Sequence, residues 1–303
     1  MHFGDELAKA TTYVGAPVAI GLDPHLHQLP SFIKERFEHK SGHRYRAEAS
    51  QAIWEFNQIV LKAVVGKVIA IKPQFAFFEQ LGSDGWRVLE QTCAMAKELG
   101  LLLIGDAKRG DISSTGAAYA QAILANNGPL GCDSITLNPW MGVDTLKPFQ
   151  HYVENEGKGI FVLLRTTNPE SNFFQHHGNP TASLKLADYL ADIAQSNIGV
   201  SGFSNIGAVV GASAHQEAKI LRKKHPTGWF LVPGVGAQGA TPEEGLAGAN
   251  ASGMGSIVVA SRSLLFPSEA VRHPDFDSNP LGVRLSVESA LRELTGQLQK
   301  VSS

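Results

Sequence analysis

A single barrel of eight parallel strands ringed by helices, the (β/α)8 or TIM-barrel architecture of the α/β class, is the fold this sequence predicts. Three observations predict it. Eight strand-length apolar runs recur along the chain, segments of helical spacing separate them, and most runs lack the polar alternation of a half-exposed strand, as expected for a parallel sheet covered on both faces. An open doubly wound sheet fits less well, because Gly21-Leu22-Asp23-Pro24 after the first run offers no G-x-G-x-x-G spacing. The 303 residues form one domain, 1–303, since such barrels often take ~250 residues as one unit.

The first run, Pro17 to Asp23, leads into a long connection over about 29–45 (Leu29 to Tyr45), whose Pro and His content argues for a loop. Ile53, Phe56, Val60, Leu61 and Val64 then recur at helical steps, and the segment stops at Gly66. Val68 to Lys72 is the second strand. Trp86, Leu89, Cys93, Ala96 and Leu99 form a second apolar stripe after the capping candidates Ser83 and Asp84, which makes Cys93 a core residue. Leu101 to Asp106 is the third strand, and a helix follows from Ser113 to roughly Asn126. Ser134 to Asn138, Gly159 to Arg165, Gly207 to Ala212, Trp229 to Pro233 and Ser256 to Ser261 complete the set. A second long connection, about 168–180 (Asn168 to Pro180), is placed to act as a lid.

Composition narrows the function. Hydrophobic residues are 43% of the chain against 18% charged, enough for a large core and too many for wholesale disorder. A formal net charge of −2 gives no general attraction to nucleic acid or to an anionic membrane. No apolar run approaches the ~20 residues that cross a bilayer. The start, Met1-His2-Phe3-Gly4-Asp5-Glu6, has no secretory pattern, and Cys93 and Cys132 are too few for a disulfide framework, so a cytoplasmic protein is expected.

Barrels of this kind carry their chemistry at the C-terminal strand ends. Asp23, Lys72, Asp106, Lys108, Asn138, Thr166, Thr167 and Arg262 all fall there. Strand periodicity puts Leu102, Ile104, Asp106 and Lys108 on one face, and Lys72 follows Val68 and Ala70 with the same period. A buried ammonium is costly unless paired, and alternating charges from Lys72, Asp106, Lys108 and Asp111 would meet that cost; a structural ion-pair network explains the same four residues. Asp111, after Gly110, could instead cap the next helix. A second constellation is a phosphate grip: Pro233-Gly234-Val235-Gly236-Ala237-Gln238-Gly239 supplies backbone N–H groups, and Arg262 a planar cationic fork. His25-x-His27 and His176-His177 lie in loops without a carboxylate at ligand spacing, so no metal site is expected. Thr115 and Tyr119 line a packing face or an interface, and Trp140 either lines the site or packs beneath it.

Asp106-Ala107-Lys108-Arg109-Gly110-Asp111-Ile112, followed by Thr115 and Tyr119-Ala120, resembles the signature of the orotidine 5′-phosphate decarboxylases, specifically their longer bacterial type. The resemblance extends through Gly21-Leu22-Asp23-Pro24, Ile71-Lys72-Pro73, Phe77-Phe78-Glu79, Asn138-Pro139, Arg165-Thr166-Thr167-Asn168-Pro169, Pro233 to Gly239 and Ser261-Arg262. It implies decarboxylation of orotidine 5′-monophosphate to UMP in pyrimidine synthesis, a carbon–carbon lyase reaction without cofactor or metal. Lys108 would protonate C6, with Asp106 and Asp111 beside the departing carboxylate and Lys72 completing the array. Asp23, Lys72 and Thr115 would hold the ribose, Thr167 the pyrimidine, and Gln238, Gly236 and Arg262 the phosphate. It further implies a homodimer in which Asp111 and Thr115 enter the neighbouring subunit's site. Thr167 departs from the Thr-Ser expected before Asn168-Pro169, keeping a hydroxyl and adding a methyl. Other readings are a Mg2+-dependent barrel acting on 3-keto sugar phosphates, a Schiff-base aldolase using Lys72 or Lys108, and a non-catalytic nucleotide-binding barrel.

Overall fold

The computed structural model describes residues 1–236 and 239–302. Its eight strands are β1 (Val18–Leu22), β2 (Ala70–Pro73), β3 (Ile104–Arg109), β4 (Ser134–Leu137), β5 (Gly159–Arg165), β6 (Ser204–Val210), β7 (Gly228–Pro233) and β8 (Ser256–Ala260). All neighbours pair in parallel, in the order β2-β1-β8-β7-β6-β5-β4-β3. The bridges Ile71 to Leu103 and Gln74 to Asp106 join the two ends of that order, so the sheet closes into the expected barrel.

Burial explains why the runs read as nearly continuous apolar stretches. Alternate residues such as Ala19, Ala70, Ile104, Phe161, Trp229 and Ile257 fill the barrel, while Val18, Ile20, Ile71, Ile135 and Val258 join the larger layer between sheet and helices. Each fully buried Val, Ile or Phe among them contributes about 1.5–3 kcal/mol.

Helix α1 (Phe3–Val14) precedes the barrel and covers its N-terminal end. The Phe3 ring meets Phe161 edge-on at 5.9 Å, and Trp229 Nε1 donates to the Gly4 carbonyl at 3.2 Å. Gly4 has to be glycine, since a Cβ there would lie 2.9 Å from the Ser204 carbonyl oxygen. With that end plugged, the cavity opens at the strand C-termini.

The remaining long helices are α2 (Gly42–Val64), α3 (Gly82–Glu98), α4 (Ser113–Leu124), α5 (Lys147–Glu156), α6 (Ala182–Ala194), α7 (His215–Lys224) and α8 (Pro280–Ser302). The expected apolar stripe of α2 is buried, but the helix starts well before it, at Gly42, where the outer turns are polar and carry no apolar signal. Ser83 and Asp84 do not cap α3; the helix begins at Gly82, and Asp84 instead accepts from Arg87 one turn on, at 3.2 Å. Between β7 and β8 a single turn, Pro242–Gly245, started by the Thr241/Glu244 capping box, takes the place of a long helix. The two long connections are partly folded: Ser31–Lys34 in the first, Pro169–Ser171 and Asn172–Gln175 in the second are helical turns.

Candidate active site

A cavity of about 980 Å³ opens at the C-terminal rim and is lined by groups from all eight strands or the segments that follow them. Charge and apolar surface are divided across it. Asp23, Lys72, Asp106 and Lys108 come from the β1–β3 side, and Leu163, Val209, Leu231 and Val259 from β5–β8 form an apolar floor.

Asp106 is the centre of the charged half. Its carboxylate accepts from Lys72 Nζ at 2.6 Å and Lys108 Nζ at 2.5 Å, and also from Gln74 Nε2 at 2.8 Å and Thr136 Oγ1 at 2.9 Å. Lys72 Nζ lies 3.9 Å from Asp23 Oδ1, a buried oxygen with no hydrogen-bond partner among the described residues. Lys72 and Asp106 are each 5% exposed, whereas the Lys108 side chain is 46% exposed and free to meet a ligand.

Burial penalises both charged forms, and the pairing overcomes it. For Lys72, desolvation pulls the pKa down, but Asp106 and Asp23 outweigh it and leave the ammonium's pKa above its ordinary value. For Asp106, desolvation pushes upward, while the Lys72 and Lys108 ammoniums hold the carboxyl well below the usual carboxylate range. Charge-assisted hydrogen bonds of this type are each worth about 1.5–3 kcal/mol.

The strand periodicity expected for β3 holds as far as Asp106 and then breaks. Lys108 has φ +47°, and the β3–β4 register shifts between Gly105 and Arg109. The left-handed step is held by the Lys108 N–H, which donates to Thr136 Oγ1 at 3.0 Å. Gly110 serves close approach, for a Cβ there would sit 2.2 Å from the Asn138 carbonyl oxygen. Gln74 and Thr136 were not singled out from sequence. The available signal was period: Gln74 is the next inward position after Lys72, and Thr136 lies two before Asn138.

At the end of β5 the two adjacent threonines differ. The Thr166 hydroxyl is already used, donating to Asn168 Oδ1 at 2.7 Å and accepting from Gln175 Nε2 at 2.8 Å. The Thr167 hydroxyl has no partner among the described residues, and Thr167 lines the cavity. Its extra methyl is accommodated by Gly211, where a Cβ would come within 2.2 Å of Thr167 Cγ2. Trp140 also lines the cavity rather than packing beneath it, with its ring 4.4 Å from that of Phe174.

Gly234, Val235, Ser261 and Arg262, from the segments that follow β7 and β8, also line the cavity, with β8 paired to β1 beside Asp23. The Arg262 guanidinium is exposed and makes no hydrogen bond or ion pair with the described residues. Gly236 adopts φ +78° and is exposed just beyond the lining, and the Gly236 and Gly239 amides donate within the loop, to Ala240 and Gly236. Gln238 lies outside the described residues.

Asp111 and Thr115 are not brought to this cavity within one chain. Asp111 does not cap α4, whose N-cap is Ile112; its Oδ1 accepts from the Ile112 amide at 2.7 Å. Thr115 and Tyr119 are exposed on α4, and the Arg109 guanidinium carbon lies 5.5 Å from the centroid of the Tyr119 ring. Of the histidine pairs, His176 meets a carboxylate after all, Glu217, at 2.7 Å. Among the described residues no three His, Cys, Asp or Glu side chains cluster as metal ligands would.

Comparison with known proteins agrees with this geometry. The chain is 36% identical over 272 residues to the orotidine 5′-phosphate decarboxylase of Rhodopirellula baltica, covering 88% of this chain and 89% of that one. It is 32% identical over 306 residues to the protein of the same name from Caldicellulosiruptor saccharolyticus, covering 96% and 98%. The structure of Leishmania donovani OMP decarboxylase superposes with a TM-score of 0.74 at 28% identity, covering 100% of this chain and 99% of that one. The family model described as orotidine 5′-phosphate decarboxylase / HUMPS matches residues 17–272, and the chain belongs to that family.

Proposed function

We propose that the protein is a carbon–carbon lyase that converts orotidine 5′-monophosphate to UMP and CO2 in pyrimidine nucleotide synthesis. The observation that carries the reading is the shared Asp106 carboxylate, which holds two ammonium groups in a cavity that an uncommitted guanidinium, Arg262, also lines. Breaking the bond between C6 and the carboxylate leaves its electron pair on C6, and the Lys108 ammonium gives its proton to that carbon. The product keeps a C6–H bond, CO2 departs, and the lysine regains a proton from solvent. A fixed cation at the point where negative charge develops is the largest help a protein can give such a step. Lys72 and Asp106 keep that cation in place, Asp23 with its unpartnered oxygen accepts from a ribose hydroxyl, Thr167 meets the pyrimidine, and Arg262 with the loop that includes Gly236 and Gln238 grips the phosphate.

Asp111 and Thr115 complete a neighbour's site in a homodimer. Support comes from α4, which has no charged residue and exposes Thr115, Ala117, Ala118 and Tyr119, with Ile112 exposed just before it. Mixing inactive Lys72→Ala and Asp111→Ala dimers regenerates activity, because one site of each hybrid then holds intact residues; no recovery after proven subunit exchange removes the shared-site assignment. A cytoplasmic setting suits Cys93 and Cys132, both buried thiols.

The direct test follows the ultraviolet absorbance as orotidine 5′-monophosphate is consumed. Turnover that survives chelation of divalent metal is expected. Protein that binds UMP without turnover would make this a binding module, and a rate lost on chelation would point to the sugar-phosphate branch.

A further inference from the structure

We propose that Arg165 is a positioning residue for the reaction: from behind the cavity wall it builds the pyrimidine-facing surface in advance, with Glu217 as its anchor. The inference rests on the decarboxylase reading above and deepens it. Arg165, the last residue of β5, is 8% exposed and does not line the cavity. Its Nε donates to both Glu217 oxygens, at 3.0 and 2.9 Å, from α7 on the neighbouring strand's connection. Nη1 reaches the Thr166 carbonyl at 3.2 Å, Ser171 Oγ at 2.6 Å and Gln175 Oε1 at 3.3 Å, and Nη2 reaches Asn172 Oδ1 at 2.7 Å. One planar group therefore ties the strand end to both helical turns of the segment expected from sequence to be a lid.

The tied groups in turn set the wall. Gln175 Oε1 also accepts from the Thr166 amide at 3.0 Å, its Nε2 holds the Thr166 hydroxyl, and Ser183 Oγ closes on the Gln175 carbonyl at 3.0 Å. Thr166, Thr167, Asn168, Phe174, Gln175 and Ser183 are all cavity-lining. His176 Nε2 contacts the same Glu217 at 2.7 Å, so the segment is pinned at its far end as well. The first half of the connection is thus preorganised by bonds within the chain itself, from Arg165, Gln175 and His176. Such preorganisation lowers the ordering cost on binding and keeps the Thr167 hydroxyl where the ring arrives. A lysine cannot substitute, because a single ammonium cannot span four directions in one plane.

The test uses Arg165→Lys and the milder Glu217→Gln in the full-length protein, each compared with wild type in thermal melting, in kcat and KM for orotidine 5′-monophosphate, and in amide exchange of residues 166–176. The expected result for Arg165→Lys is a loss in kcat/KM of about tenfold or more with a raised KM, a several-fold loss for Glu217→Gln, and faster exchange confined to 166–176 that UMP at saturation slows again. If folded variants keep kcat and KM within twofold and show unchanged exchange in 166–176, Arg165 only stabilises the fold and the proposal is overturned. Should Arg165→Lys fail to fold, Glu217→Gln decides by the same criteria. A wild-type protein without turnover refutes the decarboxylase reading, and exchange of 166–176 in the variants still decides the clasp.

Discussion

Replacing Gly211 by alanine should damage the site through Thr167, and Thr167→Ser should repair that damage. Gly211 has φ −66°, which any residue adopts, so its small size rather than its backbone freedom is what the position uses. An added Cβ would lie 2.2 Å from Thr167 Cγ2 and 3.3 Å from the Thr167 amide nitrogen. Carbon atoms rest at about 3.5–4.0 Å, so more than ~1 Å must be found. Thr167 is stiff at χ1, and turning it carries its hydroxyl away from the cavity. Overpacking of this kind costs about 1–3 kcal/mol, and if the displacement is felt fully in the transition state, kcat/KM falls about 5- to 150-fold. Thr167→Ser removes the obstructing methyl and keeps the hydroxyl. In the absorbance assay Gly211→Ala/Thr167→Ser should then return to within about threefold of Thr167→Ser alone, a coupling that a double-mutant cycle measures. Full activity of Gly211→Ala, or a double variant no better than Gly211→Ala, would refute the packing argument.

Lys108→Ala should abolish turnover while leaving the cooperative melt in place, since that side chain is half exposed; near-normal turnover would remove its assigned role. Asp106→Asn leaves two ammonium groups without their shared carboxylate, so urea unfolding should show a loss of about 3–5 kcal/mol, and a loss below about 1 kcal/mol would contradict the pairing. His225, buried with Nε2 against the Ile206 carbonyl, has its pKa pushed down to about 4 by desolvation. An unfolded histidine takes up its proton near pH 6.5, while the folded one refuses it until about pH 4. The contribution is therefore fully present above about pH 6.5 and declines as pH falls to about 4, by about 3 kcal/mol in all. His225→Gln should flatten that part of the stability–pH curve, and an unchanged slope would assign it to other groups.

How much of this was readable in the sequence depends on whether a feature is local. The strands were readable because burial on both faces makes each one an apolar run, and β5 begins and ends as expected, at Gly159 and Arg165. The charged positions of Lys72 and Asp106 followed from a period of two. The start of α2 at Gly42 did not, because its first turns carry no apolar stripe, and α3 begins at Gly82 without the side-chain cap that Ser83 or Asp84 promised. Thr136 and Gln74 reach Asp106 from neighbouring strands, and Glu217 reaches Arg165 across fifty-two positions of chain. Only the closed barrel brings such pairs together, so no window of sequence contains them. The value of Gly211 was hidden for the same reason, since its partner lies on another strand's connection.

The backbone at Lys108 shows what that closure achieves. A non-glycine residue in the left-handed region costs about 1–3 kcal/mol and persists only where its surroundings over-determine it. Here the Thr136 hydroxyl does so from both sides, accepting from the Lys108 amide at 3.0 Å and donating to Asp106 at 2.9 Å. The same oxygen thus fixes the turn that aims the lysine and the carboxylate that holds its ammonium. A regular extended strand through Lys108 would give up the register shift that brings Arg109 opposite Leu137 and the close approach of Gly110 to Asn138. The strain is located at the very residue assigned to proton transfer and is balanced by bonds to the group that positions it. On this view the Thr136 hydroxyl acts together with Asp106 in placing the Lys108 cation.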